Sequence, residues 1–180
     1  VLNNFSYPIS FVKVYAAVKD TSGDVIVTSD GYVRDNYLKP GQKSGFWILV
    51  EEDVPENSNF TLVSTFDKPS RIKPESLKLD VTLMSLNPVK VVGTVTNLGE
   101  ESATFVDVTG IFYDENHTVV DSEEEHIIIY GELEPREMAT FELEPIMNYE
   151  NRDRIKSVAL NVESTEYIMI ADNLTKITAN

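Results

Sequence analysis

The sequence predicts an all-β chain built as two tandem β-sandwich domains, and three observations carry that prediction. Short runs of Val, Ile, Thr, Tyr and Phe, bounded by turn residues, recur at roughly 8–12-residue spacing, as in a sandwich. Stretches with a helical period are few. A block of strand residues also repeats along the chain, the mark of a duplication.

The first strand reads Phe11-Val12-Lys13-Val14-Tyr15-Ala16-Ala17-Val18-Lys19-Asp20. It lines up at an offset of 94 with Phe105-Val106-Asp107-Val108-Thr109-Gly110-Ile111-Phe112-Tyr113-Asp114. The register continues through a turn in each copy, Asp20-Thr21-Ser22-Gly23 and Asp114-Glu115-Asn116-His117, so that Val25-Ile26 falls on Val119-Val120. Gly and Asn there suit the positive φ of a hairpin turn. Leu38-Lys39-Pro40 then matches Leu133-Glu134-Pro135 at an offset of 95, with Phe46 on Phe141. Phe60-Thr61-Leu62-Val63 resembles Val158-Ala159-Leu160-Asn161 at an offset of 98.

Pro69, Pro74 and their polar neighbours mark a linker over 69–76, leaving a first sandwich at 1–68 and a second at 77–170. Leu77 to Leu83 alternates cleanly as a strand, Asn87-Pro88 turns, and Val89 to Asn97 returns, with Gly93 marking a bulge or a close contact. The Ile127-Ile128-Ile129-Tyr130 run reads as a buried strand, and Asn148 to Ile155 as one short helical turn. Phe46, Trp47, Phe112 and Tyr113 are expected in the core.

The copies are unequal. Val1-Leu2-Asn3 falls on Val95-Thr96-Asn97, within a strand of the second copy, so the first lacks its opening strand. Unpaired backbone groups and a bare apolar face are costly. The expectation is that the protein extends upstream, as the start at Val1 also suggests, or that another segment fills the gap. The tail 171–180, through Leu174-Thr175-Lys176-Ile177, is one candidate, acting by strand addition to a neighbour.

At 180 residues with 42% hydrophobic content the chain can bury a core, and with no cysteine it is neither a disulfide scaffold nor a thiolate metal site. Its net charge of −15 repels phosphate backbones, which argues against nucleic acid as a partner. The charge is uneven: residues 1–70 hold nine acidic and six basic groups, and the remainder holds 21 and nine. No apolar run approaches the ~20 residues of a membrane helix.

Gly93-Thr94-Val95-Thr96-Asn97, the Val106 to Asp114 strand, Val119-Val120 and Leu133-Glu134-Pro135 through Phe141 resemble the FxLYD domain of microbial envelope proteins. The second copy covers nearly all of that pattern and the first joins it at its Asn, with Val18-Lys19-Asp20 in place of the aromatic signature. Gly110-Ile111-Phe112-Tyr113-Asp114 lacks the leading Phe and the Leu of the family, and Arg136 replaces its Gly. The resemblance implies two immunoglobulin-like sandwiches in an extracytoplasmic protein, without catalytic residues.

The two histidines point the same way. His117 lies in a turn and His126 at the edge of an acidic run, and no G-x-S-x-G elbow is present, so a serine hydrolase is not expected. Neither a zinc site nor a phosphate cradle is indicated, and no cofactor is expected. Calcium is the stronger cation candidate, since Asp121, Glu123, Glu124 and Glu125 offer oxygens, but the run reads first as a solvated strand edge that discourages aggregation. Asn4, Asn59, Asn116 and Asn173 fit the glycosylation sequon. Three functions follow as expectations: a structural, adhesive or protein-interaction module of a larger cell-envelope protein; a glycan- or calcium-binding module using the acidic second domain; or an accessory domain of an envelope enzyme.

Overall fold

The structure, a computed structural model, describes residues 1–51, 53–128, 131–146, 149–170 and 177–178. It is all-β, and the chain divides into two compact units, Val1–Ser70 and Arg71–Asn180. The division falls inside the expected linker, but β5 begins at Glu75, so the last two linker residues already belong to a strand. Just before it, Lys73 Nζ donates to the Ser164 carbonyl, and Arg71 donates to the Thr165 carbonyl at 2.8 Å. Those bonds tie the supposed linker residues to the second unit.

In the first unit, β1 (Ile9–Lys19) pairs antiparallel with β2 (Val25–Tyr32) and, at its start, with β3 (Tyr37–Leu38). β4 (Asn59–Asp67) pairs with β1 along its length. Period-2 alternation turns Val12, Val14 and Val18 inward, where the first two join Ile9, Val33 and Leu38 in a small core.

The second unit carries β5 (Glu75–Leu86), β6 (Val89–Asn97), β7 (Val106–Tyr113), β8 (Val119–Ile128), β9 (Met138–Leu143), β10 (Ser157–Glu163), β11 (Ile168–Met169) and β12 (Ile177–Thr178). Hydrogen bonds run in the order β8-β7-β10-β11-β5-β6-β9, with parallel β11 bridging two halves. The halves β8-β7-β10 and β5-β6-β9 pack as a sandwich around one core that takes Leu77 and Leu79 from β5, Val91 and Val95 from β6, Phe112 from β7 and Leu160 from β10. Tyr149–Arg154 forms a short 3₁₀ helix within the expected helical turn. Among the described residues, no helix is long and apolar enough to cross a membrane.

Two local devices occur in both units with the same partners. Asn3 and Asn97 are fully buried. The Asn3 amide donates to the Tyr7 and Leu38 carbonyls, and its oxygen accepts from Phe5 N–H at 3.0 Å. Asn97 does the same with the Glu101 and Leu133 carbonyls and Gly99 N–H. At the hairpins, Asp20 Oδ1 accepts from the N–H groups of Ser22 and Asp24, and Asp114 Oδ1 from those of Asn116 and Thr118. Each turn closes with a positive φ, 91° at Gly23 and 61° at His117. Phe11 and Phe105 share a φ of 49°, which a Phe tolerates only where surrounding bonds impose it.

The cross-strand register agrees as well. Val18 faces Phe60 and Ala16 faces Leu62; 94 residues on, Phe112 faces Val158 and Gly110 faces Leu160. Among the described residues, however, no strand of the first unit takes the place of β5. Where β6 runs beside β9, the first unit has only the bridge Leu2–Lys43, and Val33–Phe46 stands nearby. The tail, expected as a possible filler of that gap, pairs elsewhere: Ile177 and Thr178 lie opposite Val158 and Ser157 of β10. Leu174 to Lys176 are outside the described residues, as are Ile129 and Tyr130.

Candidate interaction surface

Equivalent strand positions of the two units differ sharply in exposure. In the second unit Val158 and Leu160 of β10 are 0% and 2% exposed, covered by the β5–β6–β9 half of the sandwich. Their counterparts in β4, Phe60 and Leu62, are 62% and 53% exposed. Burying each of those side chains fully is worth ~1.5–3 kcal/mol, so the bare face is a substantial unused affinity. Val63, on the other face of β4, is 59% exposed.

The outer face of the same sheet carries aromatics and charge. Lys13 Nζ sits 5.0 Å from the Tyr15 ring centre and 5.5 Å from that of Tyr32, and bonds Asp30 at 2.9 Å. The Asp30 carboxylate holds the Lys13 ammonium above the ordinary lysine value. Beside β2, an open groove is lined by Ser29, Asp30, Tyr32, Trp47, Leu49 and Glu51. Ser29 Oγ donates to the Leu49 carbonyl at 2.6 Å, pinning residues 47–49 against β2. A Cβ at Gly31 would lie 2.6 Å from the Trp47 carbonyl, so only glycine lets that segment approach.

Trp47 was expected in the core and is instead exposed. Its neighbours Phe46 and Ile48 pack on the small core, and alternation turns Trp47 away from it. Phe112 is buried as expected, and Tyr113 is half-buried.

In the second unit, the acidic candidates Asp121, Glu123, Glu124 and Glu125 do not converge. They alternate along β8: Asp121 lies opposite Phe112 and Glu123 opposite Gly110, both toward the core, whereas Glu125, opposite Val108, is exposed. Asp121 and Glu123 are buried, contrary to a solvated edge, and Glu123 accepts from Ile146 N–H at 3.1 Å. Glu124 faces the other way and meets Asp107 of β7 and His126, with one ligand atom from each lying within 4.8 Å of the others. His126 Nδ1 is 2.7 Å from Asp107 Oδ1. Asp107 raises the His126 value, whereas burial raises that of Asp107, a rise the histidine partly offsets. Two carboxylates and an imidazole form a donor set a divalent cation accepts. The linear sequence could not show this cross-strand trio, because it depends on the β7–β8 register. His117 stays in its turn. Of the sequon asparagines, Asn4, Asn59 and Asn116 are exposed, and Asn173 lies outside the described residues.

No protein-family model matches the chain, and no curated protein matches it. Among solved structures, it is similar to red sea bream transglutaminase at 13% identity and a TM-score of 0.31, over 92% of this chain and 26% of that one. It is also similar to a "putative beta-galactosidase" from Bacteroides fragilis at 12% identity and a TM-score of 0.27, over 90% of this chain and 29% of that one. The chain therefore spans under a third of either structure.

Proposed function

We propose that this chain is a non-catalytic protein-interaction module that engages extended polypeptide through the sheet of its first unit. One observation carries the reading: side chains that are core in the second unit, at Val158 and Leu160, are solvent-facing in the first, at Phe60 and Leu62. A sheet with an exposed apolar face and a free edge takes an added strand, the edge backbone supplying affinity and alternate side chains selectivity. The histidines suit this reading, since His126 is bonded to a carboxylate and His117 serves a turn. The resemblance to FxLYD domains is what supports reading such a module as extracytoplasmic, within a larger envelope protein.

The test is to pan a library of extended, β-forming peptides against the immobilised full chain. Binders should appear, and Leu62→Glu should abolish their retention while the far-ultraviolet spectrum stays unchanged. Binders indifferent to Leu62→Glu, or an absence of binders, would overturn the reading.

A glycan-binding alternative rests on a different observation, the exposed Trp47 and Tyr32 beside Asp30 and Glu51 in one groove. Stacking of a sugar ring on Trp47 would quench its fluorescence in a glycan titration, and Trp47 is the chain's single tryptophan.

A further inference from the structure

We propose that two copies of this chain pair antiparallel along β4, Val63 against Val63, to make one sheet running through both first units. The inference deepens the interaction reading above and rests on it, since it names the partner as a second copy.

β4 is an edge. Among the described residues it is laddered to β1 alone, whereas its counterpart β10 has β7 on one side and β11 and β12 on the other. Natural edge strands are guarded by charge, proline, a bulge or shortness. β4 has none of these over Asn59-Phe60-Thr61-Leu62-Val63-Ser64-Thr65-Phe66, which holds no charged residue, no proline and no glycine. It is nine residues long, and the irregularity in its ladder with β1 falls on the β1 side, between Ser10 and Lys13. A long, uncharged, exposed edge of high β propensity is a strand-addition site.

The sequence of the edge says which strand fits. Read in antiparallel register about Val63, Phe60 faces Phe66, Thr61 faces Thr65, Leu62 faces Ser64 and Val63 faces itself. Aromatic pairs and Thr–Thr pairs directly opposite each other are favourable in antiparallel sheets. At the two ends Asn59 faces Asp67, an amide donor beside a carboxylate, so no like charges meet. The pairing is self-complementary and closes on a two-fold axis, using the β4 edge of both copies.

Charge also favours this end of the molecule. With nine acidic and six basic residues in 1–70, the first unit is only weakly negative, while most of the net −15 lies beyond it. Two copies meeting at β4 bring together the less repulsive halves.

The test uses sedimentation of the full chain over a wide concentration range. The wild-type chain should show a reversible monomer–dimer equilibrium. Val63→Lys places two ammonium groups opposite each other and should weaken self-association by at least ~10-fold. Val63→Glu should do the same, and an equimolar mixture of the two variants should restore dimers, which shows that both remain folded. Because the chain has no cysteine, Val63→Cys introduces a single thiol that should cross-link under mild oxidation. Thr61→Cys should not, because its two thiols lie ~13 Å apart in this register, beyond disulfide reach.

A wild-type chain that stays monomeric throughout would overturn the pairing. So would dimers indifferent to Val63→Lys, or Thr61→Cys cross-linking as readily as Val63→Cys. If the chain is monomeric but Leu62-dependent peptide binding persists, only the pairing fails; if peptide binding is also lost, the interaction reading fails with it.

Discussion

Asn97 shows how much one side chain can hold. Its amide bonds two carbonyls 36 and four residues away and its oxygen takes the Gly99 N–H, while the side chain itself is fully buried. Asn97→Ala strands those groups, at about 1–3 kcal/mol for each one left unpaired. Chemical denaturation should show the second unit destabilised by about 3 kcal/mol. The repeat places Asn3 and Asn97 at equivalent positions, but nothing in an asparagine within a Val-Thr strand marks it as a buried plug. That role follows only from where the 38–42 and 133–137 segments return. The His126–Asp107 contact sets a pH dependence. His126 is held above its ordinary value, so its contribution is complete below about pH 6.5 and is lost as pH rises through the raised value. Asp107, raised by burial, also loses stability as it ionises, so both slopes share a sign. Unfolding free energy of the second unit should fall as pH rises from about 6.5 through the raised His126 value, and His126→Phe should flatten that fall. A slope unchanged in the variant would show that the histidine does not cause it.

At the scale of elements, register separates what was readable from what was not. Strand positions and turns follow from alternation and turn residues: β6 occupies Val89–Asn97, the predicted span. Gly93 marks both of its expected alternatives. The β5 ladder shifts register between Val81 and Leu83 opposite it, and a Cβ there would lie 2.3 Å from the Asp80 carbonyl and 2.6 Å from the Phe141 ring. Gly93→Val should therefore cost more than a typical overpacking change of about 1–3 kcal/mol and broaden the amide spectrum along β6 and β9. A wild-type spectrum and melting point in that variant would show that β9 yields easily. The exposure of Trp47 and the burial of Asp121 and Glu123 were not readable. Each depends on which face a strand turns to its neighbour, and a shift of one residue inverts that face.

At the scale of the molecule, the two units differ in what they bury. Among the described residues, eighteen buried side chains form the core of the second unit and five that of the first. Stability follows apolar burial, so the full chain should unfold in two steps with the first unit melting earlier. Calorimetry resolving one coincident transition would contradict this. Leu62→Glu should leave the second transition in place, because the substitution lies in the first unit. Added salt, which screens the net charge of −15, should favour self-association.

The shared hydrogen-bond sets of Asn3 and Asn97, and of Asp20 and Asp114, have a consequence for how the chain reaches its fold. Neighbouring segments that offer the same partners invite swapped assembly, in which β7 recruits β4 in place of β10 during refolding. The offset between equivalent residues drifts from 94 at the hairpins to 95 at the Leu38 and Leu133 loops and 98 at β4 and β10. A hybrid built from both halves would have to absorb that drift as slack or strain in its loops. Unequal spacing thus acts as a proofreading device, letting two copies of one strand pattern share a chain without exchanging strands.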